Sequence, residues 1–293
     1  MTVFDAWINL PYLPGEVTPD PSVVARFGRE GSSYEGGETM ADVVAEMDRQ
    51  GIAGGVLCKY PRDITPPFVP GVRGDDDSFH DACRKLRAVM DEYPGRFHGS
   101  VGIDPKLGYH AAELATIAHE EYGIKAIRIV GMFTGIPIND ALAYPLYTRA
   151  CDLGMVVTVN VGMPGPRKPA YLQRTIDVDD VALCFPDLKI VMSHVGDPWV
   201  SETVALLQKH PNVFLMTAGF APKYVPEGIR ALMKRAKTKV MWASDYPILS
   251  IDRTITEGRA LDVHPDALPG YLGANALAVF GAPDGMKLAE ESA

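Results

Sequence analysis

Histidine is scarce where a metal site would need it. The chain has seven histidines, and none closes the first apolar run, which ends Asp5-Ala6-Trp7-Ile8-Asn9, or the fifth, which ends Thr158-Val159-Asn160. An indole cannot ligate a metal and an amide oxygen is a weak neutral ligand, so the expected metal content is none, and no cofactor is expected. Cysteine is sparse too. Cys58, Cys83, Cys151 and Cys184 are far apart with no C-x-x-C pair, which excludes a disulfide framework and predicts a reduced, cytoplasmic protein. No basic segment followed by an apolar run opens the chain, so neither leader nor membrane anchor is expected. Lys and Arg number 28 against 37 acidic residues. Without a basic cluster, nucleic acid and acidic membranes are poor partners and a small molecule is the expected one. G-x-S-x-G, Walker and Rossmann glycine patterns are missing, which argues against a serine hydrolase, an NTPase or a dinucleotide enzyme.

What is present is a regular alternation. Val3 to Ile8, Gly54 to Lys59, Phe97 to Ile103, Ile124 to Val130, Val156 to Val161, Leu188 to Ser193, Val213 to Met216 and Val240 to Ala243 read as strands, about the eight that close a parallel barrel. Amphipathic stretches between them predict helices: Met40 to Arg49, Ser78 to Tyr93, Ala111 to Glu121, Ala141 to Asp152, Ile176 to Phe185, Trp199 to Lys209 and Glu227 to Arg235. Thr39, with Asp42 three residues on, offers an acidic N-terminal cap. Asp75-Asp76-Asp77 lacks calcium-loop spacing and reads as a helix start. Strands without polar alternation suit a sheet covered on both faces. Residues 1–293 are therefore expected to form one α/β domain, a (β/α)8 TIM barrel. The stretch Leu272 to Phe280 reads as a final helix closing its bottom or side. The long connections 10–38 and 60–77, rich in proline or glycine, are expected to wall the active site or pack on a second subunit.

Two strand ends carry chemistry, Ser193-His194 and Ser244-Asp245. Several motifs follow one another in order: Val3-Phe4-Asp5, Gly123-Ile124-Lys125-Ala126-Ile127-Arg128, Tyr144-Pro145-Leu146-Tyr147, His194-Val195-Gly196, Ala243-Ser244-Asp245-Tyr246-Pro247 and Gly273-Ala274-Asn275-Ala276. By these the chain resembles the amidohydrolase-2 family of barrel enzymes, which includes aminocarboxymuconate-semialdehyde decarboxylase. The resemblance implies metal ligands at His-x-His on the first strand, a His on the fifth and an Asp on the eighth, with a sixth-strand His acting on substrate or water. Trp7, Asn9, Asn160, Asp245 and His194 stand there. Metal-independent lactonases of the same superfamily keep the eighth-strand Asp as the base acting on water.

On this reading Asp245 is the general base or proton shuttle, the alternative being a loop cap or an Arg partner. His194 polarises the scissile carbonyl or holds the oxyanion, its tautomer fixed by Asp245 or a backbone carbonyl, unless it is a core histidine. Asn9 and Asn160 donate to substrate or satisfy one another, and Trp7 stacks on a planar substrate or fills the pocket. Arg128, inside an apolar strand, needs an anion: a substrate carboxylate or a buried acid. Lys59, with Tyr60 and Arg62, adds positive potential or is solvated, and Tyr246 points into the pocket or outward. The remaining histidines read as structural.

The expected function is a metal-independent hydrolase opening an ester, lactone or activated C–C bond of a small carboxylic acid, as a homodimer. The alternatives are a carboxy-lyase and a catalytically inactive ligand-binding barrel.

Overall fold

A computed structural model describes residues 1–11, 38–61 and 76–288. Eight parallel strands run in sequence order around one sheet: β1 (Val3–Asn9), β2 (Ile52–Lys59), β3 (Phe97–Gly102), β4 (Ala126–Ile129), β5 (Val156–Asn160), β6 (Ile190–Ser193), β7 (Val213–Met216) and β8 (Val240–Met241). The nearly closed barrel matches the expected fold. Helices between and after them are α1 (Met40–Arg49), α2 (Asp77–Glu92), α3 (Tyr109–Glu120), α4 (Tyr144–Asp152), α5 (Val178–Cys184), α6 (Val200–Lys209), α7 (Glu227–Met233), α8 (Ile251–Arg259) and α9 (Asn275–Phe280). Connections 10–38 and 60–77 lie outside the described residues except at their ends.

Alternation along each strand divides the core in two. Leu57, Val101, Ile127, Val157, Met192 and Leu215 face the helices. Val56, Cys58, Ala126, Val156, Val191 and Met241 face the lumen. Ala276, Val279 and Phe280 of α9 join the lumen cluster with Phe4, so the last helix closes the barrel where the strands begin. The anticipated helix from Leu272 instead opens with a wide turn over Gly270–Ala274. A Cβ on Gly273 would lie 2.2 Å from the Thr2 carbonyl oxygen, so glycine lets that turn touch the chain entering β1.

Local signals explain the ends. Thr39 and Asp42 form a reciprocal capping box on α1, which satisfies two otherwise orphaned N–H groups. Asp76 and Asp77 open α2. Helix α8 has no counterpart among the sequence expectations, because its buried face is built from Ile251, Thr254, Ile255 and Gly258, a mix of β-branched residues and glycine that reads weakly as helix. No helix of the described residues is long and apolar enough to cross a membrane.

The decisive irregularity is in β1. Asp5 pairs with Gly55 and Ile8 with Leu57, three residues of β1 spanning what two of β2 span. This one-residue bulge leaves Ile8 in the outer core while Ala6 and Trp7 both join the lumen cluster, the re-aiming of side chains that bulges provide.

Candidate active site

Only two residues of β8 are strand, so loop backbone joins it to β1. Ala6 N–H donates to the Trp242 carbonyl at 3.2 Å, Asp245 N–H to that of Trp7 at 3.0 Å, and Asn9 N–H to that of Tyr246 at 2.8 Å. Asp5 Oδ1 braces the same seam, accepting from the Trp7 and Ser244 N–H groups at 3.1 and 2.9 Å. Asp245 takes a left-handed conformation, φ 55°, and beyond β6 so do His194 (φ 72°) and Val195 (φ 55°). A left-handed β-branched residue is strained, and such strain persists only where the surroundings enforce it. Here it turns the His194 ring toward Asp245, Nδ1 to Oδ2 being 3.9 Å.

Two hydrogen-bond sets meet at this mouth. On one side Trp7 Nε1–H donates to Asn9 Oδ1 at 2.8 Å, and Asn9 Nδ2 donates to Asp245 Oδ1 at 3.0 Å and to the Tyr246 carbonyl at 2.9 Å. On the other, Arg128 donates from Nε to the Tyr60 hydroxyl at 2.9 Å, and from Nη2 to Asn160 Oδ1 and to Ser193 Oγ, the latter at 2.9 Å. The guanidinium carbon lies 3.2 Å from the centroid of the Trp7 ring, which joins the sets through a cation–π contact. The Trp7 and His194 rings are tilted at 5.3 Å.

Asp245 Oδ2 is buried and has no hydrogen-bond partner among the described residues. Burial, opposed by the Asn9 donor and the Arg128 charge, pushes the Asp245 pKa up to about 7. Burial does the same to Asp5, also to about 7. His194 moves the other way, down to about 3, first because its ring is desolvated and then because of the charge on Arg128. Its Nδ1 lies 2.9 Å from the Ala218 carbonyl. A carbonyl only accepts, so Nδ1 carries the hydrogen and Nε2 of the neutral ring is an acceptor. Cys58, facing the lumen beneath, is pushed up to about 11 by burial and is a thiol, not a nucleophilic thiolate.

The structure therefore brings Asp245, His194, Arg128, Asn9, Asn160 and Trp7 together. Asn9 and Asn160 bond to different partners and not to each other. The carbonyl of Ala218, not Asp245, fixes the His194 tautomer. The hydrogen-bond partners of Arg128 among the described residues are all neutral. Lys59 pairs in register with Val101 and shares the face of Leu57, which turns it from the lumen, whereas Tyr60 reaches Arg128. The Tyr246 side chain packs in the outer core, so its contribution to the cluster is a backbone carbonyl. Arg62 lies outside the described residues. Sequence reasoning passed over Ser193 as a ligand of Arg128 and Gly219 altogether. A Cβ on Gly219 (φ 73°) would lie 2.8 Å from His194 Nδ1 and 3.0 Å from Asp245 Oδ2. The signal for Tyr60 was available: alternation from Val56 and Cys58 carries it inward.

The amidohydrolase-2 family model, described as Amidohydrolase, matches residues 70–282. The chain belongs to this family. No curated protein matches it in sequence. Among solved structures it is similar to an uncharacterised TIM-barrel protein of Bordetella bronchiseptica, at 21% identity and a TM-score of 0.74 over 95% of this chain and 98% of that one. It is similar to 5-carboxyvanillate decarboxylase of Sphingomonas paucimobilis, at 16% identity and 0.69 over 96% and 99%. It is likewise similar to 5-carboxyvanillate decarboxylase of Novosphingobium aromaticivorans, complexed with manganese and 4-hydroxy-3-methoxy-5-nitrobenzoic acid, at 16% identity and 0.70 over 95% and 96%.

The divalent ion that this kinship implies does not suit the residues here. Among the described residues no three His, Cys, Asp or Glu side chains converge as a metal site would require. Of the groups at the ligand positions, Trp7 presents a donor, Asn9 Oδ1 is taken by Trp7, and Asn160 Oδ1 is taken by a cation. Asp245 alone offers an anionic oxygen, too little for zinc or manganese.

Proposed function

We propose that the protein is a metal-independent hydrolase acting on a small carboxylated lactone, ester or activated C–C bond. The observation that carries this reading is the state of Asp245: a buried carboxylate with one oxygen held by Asn9 and the other unpartnered, 3.9 Å from a neutral histidine. Such a group takes a proton near neutrality. In the proposed step Asp245 Oδ2 accepts a proton from water, the water oxygen adds to the carbonyl carbon, and the bond to the leaving oxygen or carbon breaks as that atom takes up the proton from Asp245, which returns to its ionised form. His194, held as an acceptor at Nε2, orients the water through a hydrogen bond and does not donate to the oxyanion. That donor role falls to Arg128, the buried cation of the site.

A carboxy-lyase is the second reading, favoured by the decarboxylases among the structural neighbours. Asp245 would then hold a proton and deliver it to the carbon that loses carbon dioxide.

The test is a panel of lactones and carboxylic acids in 18O-labelled water, before and after chelation. Chelator-resistant product carrying 18O supports hydrolysis, and carbon dioxide release with solvent deuterium on carbon supports the lyase. Asp245→Asn is expected to lower turnover by about 10²-fold or more while the fold is retained, and an unchanged rate would show that the base lies elsewhere.

A further inference from the structure

The positions that the family resemblance assigns to metal ligands surround a side chain to which the resemblance gives no role. Arg128 is 1% exposed. Its guanidinium lies over the ring of Trp7 and donates to Asn160, and its charge is felt at both Asp245 and His194. Tyr60 and Ser193 fix its Nε and Nη2, while Nη1 makes no hydrogen bond among the described residues. A guanidinium so placed has a fixed orientation, and among the described residues none of the groups that hydrogen-bond to it is a carboxylate.

We infer that the Arg128 guanidinium is the resident cation of this site, standing in for the divalent ion, and that Nη1 binds the oxygen of the reacting group itself. This deepens the reading of the site as a hydrolase for acidic substrates and rests on it.

Three consequences follow from this placement. A fixed positive charge repels a second cation, so the replacement of the ligand histidines and the presence of Arg128 act in the same direction. A guanidinium offers directed N–H donors but no open coordination sphere, and with Nε and Nη2 engaged it orients one substrate oxygen through Nη1 and does not itself ionise water. That leaves proton removal to Asp245. The Trp7 ring beneath the guanidinium keeps its plane fixed, so the favoured ligand is a planar carboxylate or conjugated lactone, one of whose oxygens accepts from Nη1 in that plane.

Benzoate is the probe, because it is the smallest planar carboxylate with a ring and its binding is read without turnover. The full-length protein, dialysed against chelator, is titrated with benzoate by calorimetry and tryptophan fluorescence, with and without added Mn²⁺. Arg128→Met and Arg128→Lys are run beside it, with circular dichroism as the check on folding. Saturable benzoate binding by the metal-free wild type, a Kd changed less than twofold by Mn²⁺, and a loss of at least tenfold in Arg128→Met are expected. Arg128→Lys, which keeps the charge and loses the directed Nη1 donor, should fall between. Benzoate binding that requires Mn²⁺, uptake of one Mn²⁺ per wild-type chain, or absence of saturable binding by the wild type would each overturn the inference, and these arms stand even if Arg128→Met does not fold. Equal affinity in a folded Arg128→Met would overturn it too. Intact benzoate binding with no hydrolysis of any substrate would fault the hydrolase reading alone.

Discussion

The indole N–H of Trp7 donates to Asn9 Oδ1 at 2.8 Å, and that bond decides which end of the Asn9 amide faces Asp245. With its oxygen engaged, Asn9 can present only Nδ2 to the carboxylate, a donor that favours the ionised form. Asn9→Ala removes the donor, so the Asp245 pKa is expected to rise further. The inflection in kcat/KM that reports Asp245 should move upward by about one pH unit; an inflection that stays in place would show that the bond does not tune the base.

The pH profile also separates the two chemistries. With the Asp245 pKa raised to about 7, a base mechanism needs the ionised form, so kcat/KM should climb with pH through the neutral range and level off above it. A carboxy-lyase using Asp245 as the acid shows the opposite limb, falling as pH rises through the same range. His194, down to about 3, stays neutral throughout and adds no second inflection above pH 5. A stopped-flow profile from pH 5 to pH 9 on the best substrate of the panel distinguishes the outcomes.

Gly219 leaves no room for a side chain between His194 and Asp245. Its Cβ would sit 2.8 Å from His194 Nδ1 and 3.0 Å from Asp245 Oδ2, and its φ of 73° disfavours any side chain. Gly219→Ala should cost about 1 to 2 kcal/mol of stability from backbone strain and lower kcat by about 10²-fold as the ring and the carboxylate are displaced. Thermal unfolding and steady-state kinetics read the two effects separately. A variant with normal kcat would mean that the pair tolerates displacement.

Asp5 carries a signature in stability rather than in rate. Its folded pKa of about 7 exceeds the ordinary carboxylate value of 3.8, so between these limits the folded state holds a proton that the unfolded chain has released. Stability from this group is fully present below the unfolded value and is lost as pH rises through the folded one, with a slope of roughly 1.4 kcal/mol per pH unit. Asp5→Asn keeps an acceptor for the Trp7 and Ser244 amides and removes the titration. Urea unfolding at pH 4.5, 5.5 and 6.5 should show the variant gaining on wild type as pH rises; parallel curves would place the Asp5 pKa in the ordinary range.

The barrel was legible because parallel strands covered on both faces are apolar along most of their length, as Val213–Met216 is throughout. The strand-end residues were legible for the same reason, since a His or Asp that stops an apolar run stands out. Facing was harder to read. The β1 bulge that aims Trp7 inward is a count of residues against a partner strand, which the sequence of β1 alone does not contain. Tyr246 packs in the outer core directly after a left-handed Asp245, a backbone state that a non-glycine residue does not advertise. The pairing of Asn160 with Arg128 joins residues 32 positions apart, and that of Asn9 with Asp245 spans 236. Neither separation leaves a periodic trace, so the sequence offers substrate donation or mutual satisfaction for the two asparagines and neither of the partners found.

The seam between β8 and β1 gives the machinery a second duty. Trp7, Asn9 and Asp245 hold the barrel shut with their backbones while their side chains build the cluster at its mouth, so the last strand is fastened by the residues that form the candidate site. Loosening the clasp disarms the site, and a molecule lodged in the mouth grips both sides of the joint. Amide hydrogen exchange at Ala6, Asn9 and Asp245 is thus a direct gauge of occupancy, slowing when the mouth is filled, even by a compound that is never turned over.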